Sequence, residues 1–346
     1  MNNESFIKSA MNESKKRTFS PLYLLSLIYG FVLIVRRFFY RAGIFKSRRI
    51  NACVISIGNI AVGGTGKTPT VIYVAKLLNR HGYKVCVLSR GYKGTNKDEY
   101  LEVSNETDVL SDPITAGDEP YMLAKSLKGV PVIVGKNRYV AGKRAVEKFK
   151  PDVCILDDGF QHLKLKRDIN IVTFDGDVGA GNGRLIPAGI LREQVSALKR
   201  ADIILINKGD KKYNEIVSLV SKYKGDSGNI FRSRYEIDGL TSLKGDNESI
   251  EYLSGKRIFA FSALANANYF YEIIKNAGGI VSGKLEYDDH YYYNQNDYNN
   301  IINNAKLAKA QLILTTEKDI VKINGAWADK NHIDMFSLNI RLKPVD

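Results

Sequence analysis

Three cysteines, one tryptophan and eight prolines are a thin supply of structural staples for 346 residues. Cys53, Cys86 and Cys154 lie far apart with no C-x-x-C spacing, which excludes a disulfide framework and a cysteine-held zinc. Each falls in an apolar run and reads as a reduced core residue of a cytosolic protein. A long hydrophobic run is also missing. The apolar stretch Leu22–Val35, LYLLSLIYGFVLIV, has 14 residues, whereas a bilayer span needs about 20. No small-x-small cleavage site follows it, so it does not read as a secretory signal. Internal repeats are absent, and the Asn- and Tyr-rich stretch 287–304 keeps helical patterning.

Acidic residues are scarce. There are 37 Asp and Glu against 51 Lys and Arg, a net charge of +14. In the first 49 residues ten basic side chains face only Glu4 and Glu13, so that segment holds +8 of the excess. A basic balance admits nucleic acid, anionic lipid or an acidic substrate. Position decides among them, because these charges flank the apolar run and Arg36-Arg37-Phe38-Phe39-Tyr40-Arg41 closes it. Basic and aromatic residues interleaved beside an apolar helix suit an anionic membrane surface. Nucleic-acid binding ranks last, since no exposed aromatics on a sheet accompany the charge.

The strongest positive signal is Val54–Leu78, VISIGNIAVGGTGKTPTVIYVAKLL. A β-branched run leads into a glycine-rich turn and then a helix, which is the form of a phosphate-binding loop. Gly63, Gly64, Thr65 and Gly66 can turn backbone N–H groups toward an anion at a helix N-terminus. Lys67 can reach the outer phosphates and the Thr68 hydroxyl can ligate Mg²⁺. Pro69 costs nothing in the first turn of a helix. Ala61 stands where the strict pattern has glycine, and the glycine need moves to Gly63 and Gly64.

Apolar strands then alternate with helices. Strands are expected at Lys84–Ser89, Pro131–Gly135, Val153–Leu156, Ile169–Phe174 and Ala201–Ile206, with a helix over Asn137–Lys150. Continuous rather than alternating apolar runs indicate a parallel sheet covered on both faces. The expected fold is a P-loop NTPase-like, doubly wound α/β domain with a second smaller α/β domain and an N-terminal membrane-associated helix. The boundaries read 1–49 for the basic segment, 50–230 for the P-loop domain and 231–346 for the smaller domain, linked by two extended segments.

Several polar residues stand just after strands. Asp157 and Asp158 end an apolar strand and read as carboxylates for Mg²⁺, because adjacent carboxylates repel unless a cation or proton intervenes. Asp118, in Gly117-Asp118-Glu119-Pro120, reads as a helix cap or as a general base that takes the proton of an attacking hydroxyl. Asp289-His290 would be its partner in sharing that proton. Arg138, in GKNR, is placed to face a transferred phosphoryl group, and Arg90, in Ser89-Arg90-Gly91-Tyr92 at another strand end, reads the same way. Asn207-Lys208-Gly209-Asp210 fits N-K-x-D, a guanine-reading pattern. It leaves a membrane-recruited P-loop GTPase or ATPase switch as the alternative, although no D-x-x-G stands at the Asp157 strand, where Leu156 occupies the needed position.

The ordered set SIGNIAVGGTGKTP, LSRGY, GDEP, VGKNR, DDGFQH, GRLIPAGILRE, FSALANANYF, DDH and TTEKD resembles the tetraacyldisaccharide 4'-kinase family, the lipid A 4'-kinases. The resemblance runs from about Pro21 to Asp319. It implies an ATP- and Mg²⁺-dependent kinase that phosphorylates the 4'-hydroxyl of an acylated glucosamine disaccharide lipid. It also implies work at the cytoplasmic face of the inner membrane, with no nucleic acid and no obligate protein partner. On that resemblance Asp118 is the base and His290 its partner. Lys67 and Thr68 are the phosphate-loop pair, Asp157 and Asp158 the metal-side carboxylates and Arg138 a phosphate-facing arginine. Arg192 and Glu193 are a nucleotide-side pair.

Overall fold

The computed structural model describes residues 21–225, 229–264, 267–288, 291–323 and 333–345. It divides into two compact units, 1–235 with 342–346, and 236–341. The division therefore falls after Tyr235 rather than at 230, and the last residues return to the first unit.

In the first unit the strands are β1 (Cys53–Gly58), β2 (Val85–Ser89), β3 (Leu101–Ser104), β4 (Val132–Val134), β5 (Val153–Asp157), β6 (Ile169–Asp175), β7 (Ile203–Asn207) and the start of β8 (Ile230–Ser242). Their order is β8-β7-β6-β1-β5-β2-β4-β3, parallel except for the antiparallel edge strand β3. Successive residues of each strand enter opposite cores. Ile55, Ile57, Val85, Val87, Val153 and Ile155 pack with Val71 and Ala75 of the Lys67–Arg80 helix. Val54, Cys86, Leu88, Cys154 and Leu156 pack with Ala141 and Ala145 of the Arg138–Phe149 helix. Both faces are dry, so the strands carry no polar alternation. Cys53 departs from the core reading, because it opens β1 and is exposed.

Connectivity positions the site. From β1 the chain crosses to β2 on the β5 side, and from β5 it passes over β1 to β6. The reversal places a crevice beyond the carboxyl end of β1, where ligands of such sheets bind. Register lines up the residues there. Ile57 pairs with Asp157, Gly58 with Val172, Leu88 with Leu156 and Asp175 with Asn207.

The N-terminal helix spans Pro21–Arg41, longer than the 14-residue apolar stretch. Arg36, Arg37 and the aromatics after them continue it rather than end it. At about 1.5 Å per residue it measures about 31 Å, so length and composition suffice to cross a membrane. One face docks on the first unit. The Tyr29 hydroxyl donates to the Arg192 carbonyl at 2.9 Å, and the Arg36 guanidinium donates to the Gln161 carbonyl at 2.9 Å. Leu24, Leu25, Ile28, Phe31, Val32 and Phe38 lie on the open face, with Phe31 66% exposed. An apolar stripe of this size left in water needs a cover.

The second unit holds the rest of β8, then β9 (Asn247–Glu248), β10 (Arg257–Ser262), β11 (Ile280–Glu286), β12 (Leu312–Thr316) and most of β13 (Asp334–Pro344). The order β11-β10-β12-β13 is parallel. Helices Asn268–Asn276 and Gln295–Leu307 supply separate cores through Ile274 and Ile301. Asn294 starts the second of these with a capping box to Asp297.

Candidate active site

The loop after β1 is held from every side. Gly66 has φ 82° and caps the Lys67–Arg80 helix. A Cβ there would collide with the Tyr235 hydroxyl and the Asn207 amide. Glycine is thus required twice, for a left-handed turn and for close approach. Gly63 is also left-handed, with φ 111°. Thr65 looks inward. Its hydroxyl accepts from Asn59 Nδ2 and meets the Thr173 hydroxyl, each at 2.9 Å. The Asn207 amide donates to the Thr65 carbonyl at 2.7 Å, and Lys208 Nζ donates to the Gly64 carbonyl at 2.8 Å. Gly63, Gly64, Thr65, Gly66, Lys67 and Thr68 therefore form one braced turn at a helix N-terminus, a cradle for anions.

Lys67 Nζ lies 3.8 Å from Asp158 Oδ1. Asp158 has φ 48°, a strained conformation for a non-glycine residue. Its carboxylate accepts two bonds from Arg192 Nη1, at 2.9 and 3.1 Å. Burial alone would raise the Asp158 carboxyl, but Lys67 and Arg192 outweigh it and hold the group below the usual carboxylate range. Asp157, at the tip of β5, is buried and accepts from the Ser89 hydroxyl at 3.0 Å. Burial first, then the charges of Glu119 and Asp158, push Asp157 up to about 7 against the pull of Lys67. Two adjacent carboxylates driven apart in this way are a place where a cation would relieve charge.

Among the described residues no group of three or more His, Cys, Asp or Glu side chains could hold a metal ion. Mg²⁺ asks for less, since it takes one or two carboxylates and completes its shell with water and phosphate oxygens. The buried Asp157 carboxylate, Asp158 beside it and Thr68 at the loop fit that donor set.

Asp118 is the first residue of the Asp118–Ser126 helix and is 2% exposed. Its Oδ1 accepts from the Glu119 backbone N–H at 3.0 Å. The Gly117 backbone lies against Gly91 and Tyr92, just after β2, which sets this helix start at the carboxyl edge of the sheet. Arg138 opens the next helix and is 4% exposed. A cation at a helix N-terminus opposes the dipole. Burial and the like charge of Arg90 depress its guanidinium to about 10, against the attraction of Asp157 and Asp158. Among the described residues its Nε has no hydrogen-bond partner. A buried arginine within the field of two carboxylates and with an unused donor can bind an anion.

Arg192 and Glu193 part company. Arg192 reaches Asp158 and also Asn59 Oδ1 at 3.2 Å. The buried Glu193 carboxylate bonds Arg37 at 3.2 Å and also Arg200, tying the N-terminal helix to the body. Asp289 and His290 lie outside the described residues.

One feature escaped the sequence. Beneath the N-terminal helix lies a cavity of about 760 Å³ lined by Arg36, Phe45, Lys46, Arg48, Lys136, Tyr139, His162 and Lys164 among others. His162 is driven down to about 3 by burial and by the surrounding cations, Arg138 first. Its neutral ring leaves Nε2 buried and without a hydrogen-bond partner among the described residues. The only linear signal was the interleaving of basic and aromatic residues over Arg36–Arg49.

Known proteins match this arrangement. A family model described as tetraacyldisaccharide-1-P 4'-kinase matches residues 18–346. The tetraacyldisaccharide 4'-kinase of Syntrophus aciditrophicus is 40% identical over 339 residues, covering 94% of this chain and 91% of its own. That of Desulfatibacillum aliphaticivorans is 35% identical, covering 98% and 93%. The crystal structure of LpxK from Aquifex aeolicus in complex with ATP matches with TM-score 0.74 at 33% identity, covering 92% of this chain and 93% of that one. The braced glycine loop, the paired carboxylates and a family match over nearly the whole length agree, and the chain belongs to the tetraacyldisaccharide-1-P 4'-kinase family.

Proposed function

We propose that the chain transfers the γ-phosphoryl group of ATP to the 4'-hydroxyl of an acylated glucosamine disaccharide 1-phosphate. The observation that carries this reading is the convergence of Lys67, Arg138, Asp157, Asp158 and the Asp118 helix start on one sheet edge. Phosphoryl transfer asks a protein mainly for positioning and charge neutralisation. In this reading the loop from Gly63 to Thr68 grips the β- and γ-phosphates, and Lys67 leaves Asp158 for them. Arg138 meets the equatorial oxygens, and Arg192 lies on the nucleotide side. Asp118 orients the acceptor hydroxyl and takes its proton, with His290 as partner. Mg²⁺, held by Thr68 and by Asp157 or Asp158, would neutralise charge on the phosphates. The switch alternative is not favoured, because the family match is to kinases throughout.

The test is transfer of labelled γ-phosphate from ATP to tetraacyldisaccharide 1-phosphate in detergent. Nucleotide hydrolysis with the acceptor left unmodified would end the reading.

The acceptor is a lipid, and the open face of the N-terminal helix supports docking on an anionic cytoplasmic leaflet. Its basic flank adds about 1 kcal/mol per lysine or arginine near such a surface. Phe31→Glu is expected to weaken sedimentation with vesicles containing anionic phospholipid by about tenfold, leaving activity on detergent-dispersed acceptor unchanged. Undiminished vesicle binding would remove the helix from that role.

Asp157 makes a pH prediction. Its folded-state carboxyl is raised from 3.8 to about 7. The folded chain therefore keeps a proton that the unfolded chain releases, and the stabilisation present at low pH is lost as pH rises through that window. Asp157→Asn is expected to melt close to the parent near pH 4 and, without metal, about 5 °C or more above it near pH 8. Parallel melting curves across that range would show Asp157 already ionised.

A further inference from the structure

The N-K-x-D stretch at the end of β7 is absorbed only in part by the site described above. Guanine presents two donors side by side, N1–H and the exocyclic N2 amino group. Adenine presents an acceptor, N1, beside its amino donor. A lone carboxylate accepts both guanine donors and repels the adenine N1 lone pair.

The first two residues of the stretch are bolted to the phosphate loop. Asn207 is buried and both ends of its amide are used. Nδ2 donates to the Thr65 carbonyl at 2.7 Å, and Oδ1 accepts from the Ser233 hydroxyl at 2.5 Å. Lys208 is held at φ 68°, and its Nζ is shared between the Gly64 carbonyl at 2.8 Å and Asp175 Oδ2 at 2.6 Å. Its aliphatic stem therefore runs beside the loop, an apolar strip for the face of a base.

The third residue locks the turn. A Cβ on Gly209 would collide with the Asp177 carboxylate, and one on Gly176 would collide with the Gly209 carbonyl. Gly176 N–H also donates to the Asn207 carbonyl at 2.8 Å.

Asp210 completes the stretch. Its backbone carbonyl accepts from Tyr213 N–H at 3.0 Å at the start of the next helix, while the residue itself is exposed. Bracing the loop needs Asn207 and Lys208 but makes no use of this carboxylate.

We propose that Asp210 reads guanine at the donor site, so that GTP serves as a phosphoryl donor alongside ATP. The inference rests on the kinase reading and extends its nucleotide side. The acceptor oxygen bonds to the γ-phosphorus, the bond from that phosphorus to the β–γ bridging oxygen breaks, GDP leaves, and the hydroxyl proton passes to Asp118.

The test is competition of unlabelled nucleotides against a methylanthraniloyl-labelled ADP on the full chain in detergent, without lipid acceptor. GDP is expected to displace the label at concentrations no higher than ADP needs. Asp210→Ala is expected to raise the GDP concentration required by about tenfold or more while moving ADP by less than about twofold. Asp210→Asn, which offers an amide donor and acceptor, is expected to exchange guanine for xanthine and bind XDP instead. Normal displacement by ADP in both variants certifies the fold. A parent protein that needs about tenfold more GDP than ADP overturns the assignment, as does an alanine variant that moves both nucleotides equally or neither. The two readings fail separately: GDP bound as stated, with the acceptor phosphorylated from ATP but not from GTP, would overturn the donor role of GTP alone, whereas an acceptor left unphosphorylated by either triphosphate would sink the kinase reading and that donor role with it.

Discussion

Replacing Lys67 by alanine is expected to lower the rate of phosphoryl transfer by about 10³-fold or more while the protein stays folded. The side chain contributes little to the fold. Among the described residues its one ion pair reaches Asp158 at 3.8 Å, and Asp158 keeps its closer partner Arg192 at 2.9 Å when that contact is lost. The cradle is also secured without it, by Asn207 at the Thr65 carbonyl and Lys208 at the Gly64 carbonyl. What disappears is the single positive charge that follows the glycine turn into the helix, at the position where charge builds up on the transferred group. A steady-state assay beside a melting curve separates the two effects. Full activity would remove the phosphate-loop assignment, and a collapsed melting temperature would show that the lysine is structural.

Asp118→Asn is expected to reduce kcat by about 10²- to 10⁴-fold, with the affinity for ATP within about threefold of the parent. Asparagine keeps the size of the side chain and an oxygen that can accept from Glu119 N–H, so the helix start survives. It cannot take a proton. The discriminating readout is the split between kcat and the ATP dissociation constant. If affinity alone falls, the residue binds nucleotide. If neither moves, the proton leaves by another route.

The glycine turn was legible in the linear chain because every requirement is local: an apolar strand, flexible residues, then Lys67 and Thr68 at a helix start. Asp157 was legible for a related reason, since an acid at the tip of an unbroken apolar run lies at a sheet edge wherever that strand is placed. The placement of neighbours was not legible. Nothing in the linear chain foretold that the Glu193 carboxylate meets Arg37 and Arg200, residues far away in the chain or across a 3₁₀ turn. Cys53 read as core and is exposed, because burial depends on where the strand enters the sheet. The N-terminal helix read as 14 apolar residues and runs from Pro21 to Arg41, because Arg36 and Arg37 find partners on Gln161 and Glu193.

From the residues alone came the family resemblance, the doubly wound class and the glycine turn at a helix start. All of these depend on short-range order along the chain: strand periodicity, turn chemistry and charge spacing. Tertiary structure alone decided that Asp157 and Asp158 titrate in opposite directions. It also buried Arg138, set His162 in the lining of a basic cavity, and tied Lys208 to the phosphate loop at the Gly64 carbonyl, with Asp210 exposed two residues further on. Burial and the distance between charges set those properties, and both arise only when strands distant in sequence are laid in register.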